Sequence, residues 1–204
     1  VLLLWRMGEI LSIGGWVLYR SCLEVKTWNQ QYGTDLFVSV NVSALQLQDD
    51  LFVHTVEDAL CRSGLPPELL KLEITESTIM KDPESVMEKI KMLRARGVEF
   101  SIDDFGTGYS SLSYLQKLPF NTLKIDRSFV KDAVSCRETR EIIKTIIAMS
   151  KALRKKTLAE GIETAEQKDL LKQLGCNQLQ GYFFNKPMPA AAFEREIIRW
   201  QTCN

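Results

Sequence analysis

Ser101-Ile102-Asp103-Asp104-Phe105-Gly106-Thr107-Gly108-Tyr109-Ser110-Ser111-Leu112 reads as the end of a buried strand, two adjacent carboxylates and a glycine-bearing loop. Two neighbouring carboxylates repel one another and are costly to bury together. A strand that ends on such a pair delivers it to solvent, to a cationic side chain or to a metal ion. The glycines allow the following backbone tight or left-handed turns beside that site. A solvated turn leading into a helix N-cap is the simpler alternative. It ranks below the metal reading, because the same pattern of a polar residue at a strand end recurs on both sides of the stretch.

Upstream, Leu69 to Thr75 and Leu36 to Val42 are apolar, β-branched runs that read as buried strands, and downstream the same reading applies to Thr122 to Asp126, Lys156 to Glu160 and Gln178 to Phe183. With Val98 to Asp104 they make six. Helical spacing is predicted over 7–30, Asp49 to Ser63, Asp82 to Arg96, Glu138 to Leu153, Thr164 to Leu174 and Ala190 to Trp200, with a short turn or helix through Leu115. Gly64-Leu65-Pro66-Pro67 breaks the second of these, and Asp82-Pro83 opens the third. Strands alternate with helices, which predicts an α/β fold with parallel strands. No low-complexity linker divides the chain, so residues 1–204 are expected to form one domain.

Asn41, Glu73, Asp103 with Asp104, Lys124, Glu160 and Gln180 all lie at or near the C-terminal end of a predicted strand. In a parallel (β/α) barrel these ends share one face, where chemistry is placed. A doubly wound sheet would instead gather its ligand groups at one switch point. Six consecutive contributing strands favour a TIM-like barrel. Such a barrel needs eight strands in about 250 residues, so this one is expected to lack its first two, and the six are expected to leave two open edges.

Composition narrows the functional classes. The chain has 204 residues, 45% hydrophobic and 25% charged, which suits a globular domain with a sizeable core. Lys+Arg and Asp+Glu are both 26, so no net charge draws it to duplex DNA or RNA or to an acidic membrane. The apolar run Val1 to Trp5 is too short to span a bilayer. Cys22, Cys61, Cys136, Cys176 and Cys203 are dispersed without a CxxC pair, and are expected to be reduced, buried thiols of a cytoplasmic protein. The single histidine, His54, excludes a multi-histidine zinc site and is expected on a solvated or half-buried helix face. Trp16, Trp28 and Trp200 fall on apolar helical faces and are expected in the core or an interface, and Arg154-Lys155-Lys156 is expected to be a solvated cap. An Asp-Phe-Gly triplet ending at Gly106 is also a kinase signature, but the chain has no glycine-rich phosphate loop and no His-Arg-Asp.

Oxygen ligands on several strands, with almost no His or Cys, suit Mg2+ or Mn2+. Asp103 and Asp104, with Glu73 and Asn41 on preceding strands, are expected to hold two metals about 3.5–4 Å apart, as metal-assisted phosphodiester hydrolysis requires. Lys124 supplies a point charge for a nucleophile or a phosphate oxygen. Glu160 can coordinate a metal or accept a proton, and Gln180 can donate to substrate.

At these residues the chain resembles the EAL domain family, the cyclic di-GMP phosphodiesterases. The resemblance starts near Gly8 and Ile13-Gly14-Gly15-Trp16-Val17-Leu18. It continues through Val40-Asn41-Val42-Ser43, Glu73-Ile74-Thr75-Glu76-Ser77, Asp103 to Leu112, Leu123-Lys124-Ile125-Asp126, Ala159-Glu160-Gly161-Ile162-Glu163-Thr164 and Gln180-Gly181-Tyr182-Phe183. It implies opening of cyclic di-GMP to linear pGpG with Mg2+ or Mn2+. Asn41, Glu73 and Asp103 would be metal ligands, Asp103 bridging to a second metal beside Asp104. Lys124 would orient the attacking water, Glu160 would be a metal or acid–base carboxylate and Gln180 would contact substrate. Glu76 would anchor the loop Phe105 to Ser111, which in the family links the site to dimer formation, and Glu163 would support the site from behind. A homodimer, and fusion to or regulation by a sensory or diguanylate cyclase-like domain, are implied as well, in the cytoplasm or as the cytoplasmic part of a membrane-anchored protein. The Glu-Ala-Leu run that names the family is absent. Its strand is expected before residue 1, so the chain is expected to be a piece of a longer protein. The alternative is a degenerate module that binds cyclic di-GMP or a protein partner without turnover. A phosphohydrolase acting on linear diesters ranks third.

Overall fold

Residues 9–79, 81–106 and 112–202 are described by a computed structural model. Val1 to Gly8, Thr107 to Ser111 (most of the glycine-bearing loop) and Cys203 lie outside the described residues.

The described residues open with a long helix, α1 (Glu9–Tyr32), followed by β1 (Val38–Asn41), α2 (Ala44–Gln48) and α3 (Phe52–Ser63). A 3-10 turn at Pro67–Leu69 leads into β2 (Leu70–Thr75), α4 (Glu76–Ile79) and α5 (Pro83–Ala95). Then come β3 (Glu99–Phe105), α6 (Leu112–Lys117), β4 (Thr122–Ile125), α7 (Arg127–Asp132) and α8 (Arg137–Ala152). The chain finishes with β5 (Lys156–Ala159), α9 (Ala165–Gln173), β6 (Gln178–Leu179) and α10 (Ala190–Thr202).

Among the described residues the six strands form one sheet in sequence order β1-β2-β3-β4-β5-β6, and each neighbouring pair is parallel. The sheet curls into a partial barrel. Its first and last helices meet: the Trp28 and Phe193 rings lie 4.8 Å apart, and Trp28 Nε1 donates to Glu194 Oε1 at 3.1 Å. The expected partial α/β barrel is therefore what is observed. Among the described residues β1 and β6 are its two edges.

Parallel register places alternate residues on one face. Leu72, Ile74, Phe100, Ile102, Leu123 and Ile125 are all at most 2% exposed and belong to the core beneath the helices. Burying each contributes about 1.5–3 kcal/mol. Helix starts follow local chemistry. Ser43 and Gln46 form a reciprocal capping box before α2, as Thr164 and Gln167 do before α9. Asp82 caps α5, with Pro83 in its first turn.

Several expectations need correction. The predicted helix Asp49 to Ser63 begins at Phe52, behind the separate turn α2. The predicted strand Gln178 to Phe183 stops at Leu179, because the chain turns: Phe184 N donates to Gly181 O at 3.1 Å. Gly181 itself passes so close to Ile162 that a Cβ there would lie 2.2 Å from its backbone nitrogen. α4 and α7 were not anticipated; each is a short helix that begins at or just after the residue ending a strand. Trp16 and Trp200 are 65% and 72% exposed, so of the two expected placements, core or interface, the core is ruled out for them; Trp28 packs inward. Cys22 is fully buried, and burial pushes its thiol up to about 11, but Cys61 is exposed. Lys155 is not a solvated cap residue: its ammonium donates to Phe120 O at 2.5 Å and burial lowers its pKa. His54 is exposed, as expected.

Candidate active site

The inner face of the sheet carries the other alternate residues. β1 and β2 align Asn41 with Glu73, β2 and β3 align Glu73 with Ser101 and Thr75 with Asp103, and β4 brings Lys124 beside them. Nonpolar residues at these positions would have filled the barrel; here the C-terminal layer is charged.

Lys124 is the centre of that layer. Its Nζ lies 2.5 Å from Glu73 Oε2, 3.0 Å from Asp103 Oδ1 and 2.7 Å from Glu160 Oε1. The side chains are 4% exposed for Lys124, 8% for Glu73, 14% for Asp103 and 21% for Glu160, so the cluster opens on the Asp103–Glu160 side. Burial disfavours the lysine's charge, but its hydrogen bonds to Glu160 and Glu73 outweigh burial and hold the ammonium protonated well above the usual lysine range. Burial pushes the Glu160 carboxyl up; Lys124 pulls it down, and repulsion from Asp103 and Glu73 adds to the rise.

Asp103 and Asp104 are separated by a kink. The β3–β4 register runs Ile102 with Leu123 and then jumps to Phe105 with Ile125. Asp104 sits at φ 53, in the left-handed region, and its N–H donates to Asp103 Oδ1 at 3.0 Å. The extra residue of this bulge keeps Asp103 facing in and returns Phe105 to the helix side, where it is buried. Asp104 is left exposed at the rim, its pKa raised by burial and then by the nearby charges of Asp103 and Asp126. Sequence reasoning missed the bulge. Its signal was Phe105, an apolar residue where strict alternation from Asp103 calls for a polar one.

Glu76, the first residue of α4, is 4% exposed and accepts from Gly106 N at 3.2 Å through Oε2. Its Oε1 is buried with no partner among the described residues. That one bond ties Glu76 to the first loop glycine, while Thr107 to Ser111 lie outside the described residues. Asn41 is at its expected strand end and exposed. Gln180 lines a cavity of about 560 Å³ between the two sheet edges, with Phe37, Ser39 and Tyr182. Glu163 lies apart from the cluster, in a cleft of about 420 Å³ with Arg127, Lys131 and Gln167. So the structure gathers Glu73, Asp103, Lys124 and Glu160 at one point, sets Asp104 and Asn41 at its rim, and leaves Gln180 and Glu163 in neighbouring clefts.

The donor set fits a hard divalent cation. Three carboxylates share one ammonium, an excess of negative charge that a divalent ion would neutralise, and every donor is oxygen. Among the described residues no three acidic, His or Cys side chains surround a common metal-sized point; the point the carboxylates do share is Lys124 Nζ.

A curled parallel sheet whose strand-end face gathers three carboxylates around one lysine defines the class: a partial (β/α) barrel with its polar cluster on the face where such barrels place their chemistry. The chain matches the EAL domain over residues 3–187 and belongs to that family. It is 44% identical over 185 residues to the bifunctional diguanylate cyclase/cyclic di-GMP phosphodiesterase MucR of Pseudomonas aeruginosa, spanning 91% of this chain and 27% of MucR. It is 41% identical over 192 residues to the cyclic di-GMP phosphodiesterase NbdA of the same organism, spanning 94% of this chain and 24% of NbdA. The chain thus spans about a quarter of the curated relatives it matches. Among solved structures it is similar to the MucR phosphodiesterase in complex with c-di-GMP, with TM-score 0.90 and 43% identity over 94% of this chain and 77% of that one. The EAL domain of Mycobacterium smegmatis DcpA matches with TM-score 0.87 and 38% identity, over 92% of this chain and 84% of that one.

Proposed function

We propose that this chain hydrolyses cyclic di-GMP to linear pGpG with Mg2+ or Mn2+. The observation that carries the reading is the convergence of Glu73, Asp103 and Glu160 from three strand ends on Lys124, in a chain of the EAL family. Relatives named as cyclic di-GMP phosphodiesterases support the substrate.

Glu73, Asp103, Asp104 and Asn41 would hold the metals. When bound, a divalent pair polarises the phosphodiester and supplies an activated water. Glu160, open to the cleft and with its carboxyl pKa raised, would be the group that accepts a proton from an attacking water. The water oxygen would bond to phosphorus as one P–O3′ bond breaks, and the leaving 3′ oxygen would take the proton that Glu160 received from the water. Lys124 keeps the water's acceptor groups oriented and offsets charge building on the phosphoryl oxygens. Glu76 holds Gly106 and so the start of the loop beside Asp104. Gln180 donates to the substrate, and Glu163 supports the strand end that bears Glu160. Residues 1–204 act as one domain of a longer, cytoplasmic signalling protein; that protein works as a homodimer under a sensory or cyclase-like domain. No described helix is long and apolar enough to cross a membrane.

A second reading is a receptor that binds cyclic di-GMP without turnover. It is favoured by one observation: among the described residues no three acidic side chains surround a common metal-sized point, and the point the carboxylates share is held by Lys124 Nζ. Hydrolysis of cyclic di-GMP with Mn2+, with binding measured on the same sample, separates the two. Turnover that Asp103→Asn removes supports the enzyme. Binding without turnover supports the receptor, and neither in a folded sample overturns both.

A further inference from the structure

We propose that Lys124 is the site's built-in counter-cation, a positioning residue that holds Glu73, Asp103 and Glu160 together and against which a divalent cation must compete. The proposal rests on reading Glu73 and Asp103 as metal ligands.

A lysine ammonium has three N–H donors and no acceptor. Here three carboxylate oxygens, one from each of three residues, lie within 3.0 Å of Nζ, so its donor capacity is filled. The side chain is 4% exposed, which leaves water little access as an alternative partner. Asp103 Oδ1 is further committed by the Asp104 N–H at 3.0 Å. Without a cation between them, three acidic groups on neighbouring strands would repel at short range in a poorly solvated pocket. Lys124 thus preorganises the carboxylates, and the cost falls on metal affinity. A divalent ion either displaces the ammonium from shared oxygens or takes the second oxygens and sits a few ångströms from a fixed positive charge. Both routes weaken binding relative to a site with a neutral residue at 124. The positive charge, not merely the volume, is what sets the affinity.

The test is Mn2+ binding by calorimetry to the wild-type chain, Lys124→Met and Lys124→Arg, with thermal unfolding of each in EDTA and in excess Mn2+. Lys124→Met is expected to bind Mn2+ at least about tenfold tighter, to melt lower than wild type in EDTA, and to gain more from Mn2+. Lys124→Arg keeps the charge and is expected to bind Mn2+ less tightly than Lys124→Met. A merely structural role for Lys124 predicts weaker binding in Lys124→Met, and an affinity equal to or below wild type overturns the proposal. Should Lys124→Met not fold in EDTA, Lys124→Gln is purified with Mn2+ and stripped with chelator. It must need more chelator than wild type, and stripping at the same or lower concentration overturns the proposal. A folded wild type that binds no Mn2+ is a different failure, since it removes the metal reading of the site and this inference with it.

Discussion

The two faces of the sheet are built from alternate residues of the same strands, yet one is oil and the other is charge. On the helix side, Leu72, Ile74, Phe100, Ile102, Leu123 and Ile125 are buried together. On the inner side, Glu73 and Lys124 are also buried and Asp103 is half-buried, but into one another. Ile102 and Asp103 are neighbours in sequence and belong to different problems. The apolar face gains by leaving water, is indifferent to direction and tolerates swaps of similar volume. The polar face gains little on folding and depends on distances of 2.5 to 3.0 Å. Stability should therefore track one face and activity the other.

The largest expected effect breaks the inner face alone. On the hydrolase reading, Asp103→Asn lowers cyclic di-GMP turnover by about a thousandfold, equivalent to about 4 kcal/mol of barrier. Its melting temperature should stay near that of wild type, because the amide keeps the shape while removing one of three crowded charges. Near-normal turnover would sink the two-metal reading. The complementary change is Ile102→Ala, one residue away. It leaves a cavity in the core and should cost about 2–5 kcal/mol in chemical denaturation, while the folded fraction keeps its specific activity.

A smaller effect tests the link between the faces. Glu76 is buried at the strand end that follows Glu73 and holds Gly106. Glu76→Ala should release that glycine and lower turnover by about 10–100-fold, the cost of misplacing reacting groups by about an ångström. Mn2+ affinity should be unchanged, since Glu76 does not reach the Lys124 cluster. Loss of metal binding in Glu76→Ala would make it part of the ligand set instead.

Much of this contrast was legible beforehand. Apolar, β-branched runs located all six strands, and the polar residue at or near each strand end named Glu73, Asp103, Lys124 and Glu160 in advance. These features are periodic, and period survives in a one-dimensional string. What stayed hidden depends on distance across the fold. Lys124 was readable as a lone charge but not as the shared partner of three carboxylates, because those lie 51, 21 and 36 positions away. The shortening of β6 turns on Gly181 meeting Ile162, and the exposure of Trp16 and Cys61 depends on which helix face finds a neighbour. None of these is a property of local sequence.

The bulge in β3 yields the smallest and most discriminating prediction. Asp104 occupies the left-handed region at φ 53, where a Cβ costs about 1–2 kcal/mol and a short polar side chain recovers part of it. Asp104→Ala and Asp104→Gly both remove the carboxylate, so both should lose turnover to the same degree. They should differ in stability. Alanine keeps the Cβ and loses the local polar compensation, whereas glycine has no Cβ and adopts this φ without strain, at some cost in unfolded-state entropy. Asp104→Gly is therefore expected to be more stable than Asp104→Ala by about 1 kcal/mol in denaturant unfolding. Equal stabilities would mean that position 104 relaxes to an ordinary strand conformation once the carboxylate is gone. In that case electrostatic repulsion between Asp103 and Asp104, and not the register jump against β4, is what bends the strand. The predicted difference would place the cause in the backbone pairing, which holds Phe105 on the oily face and Asp103 on the charged one.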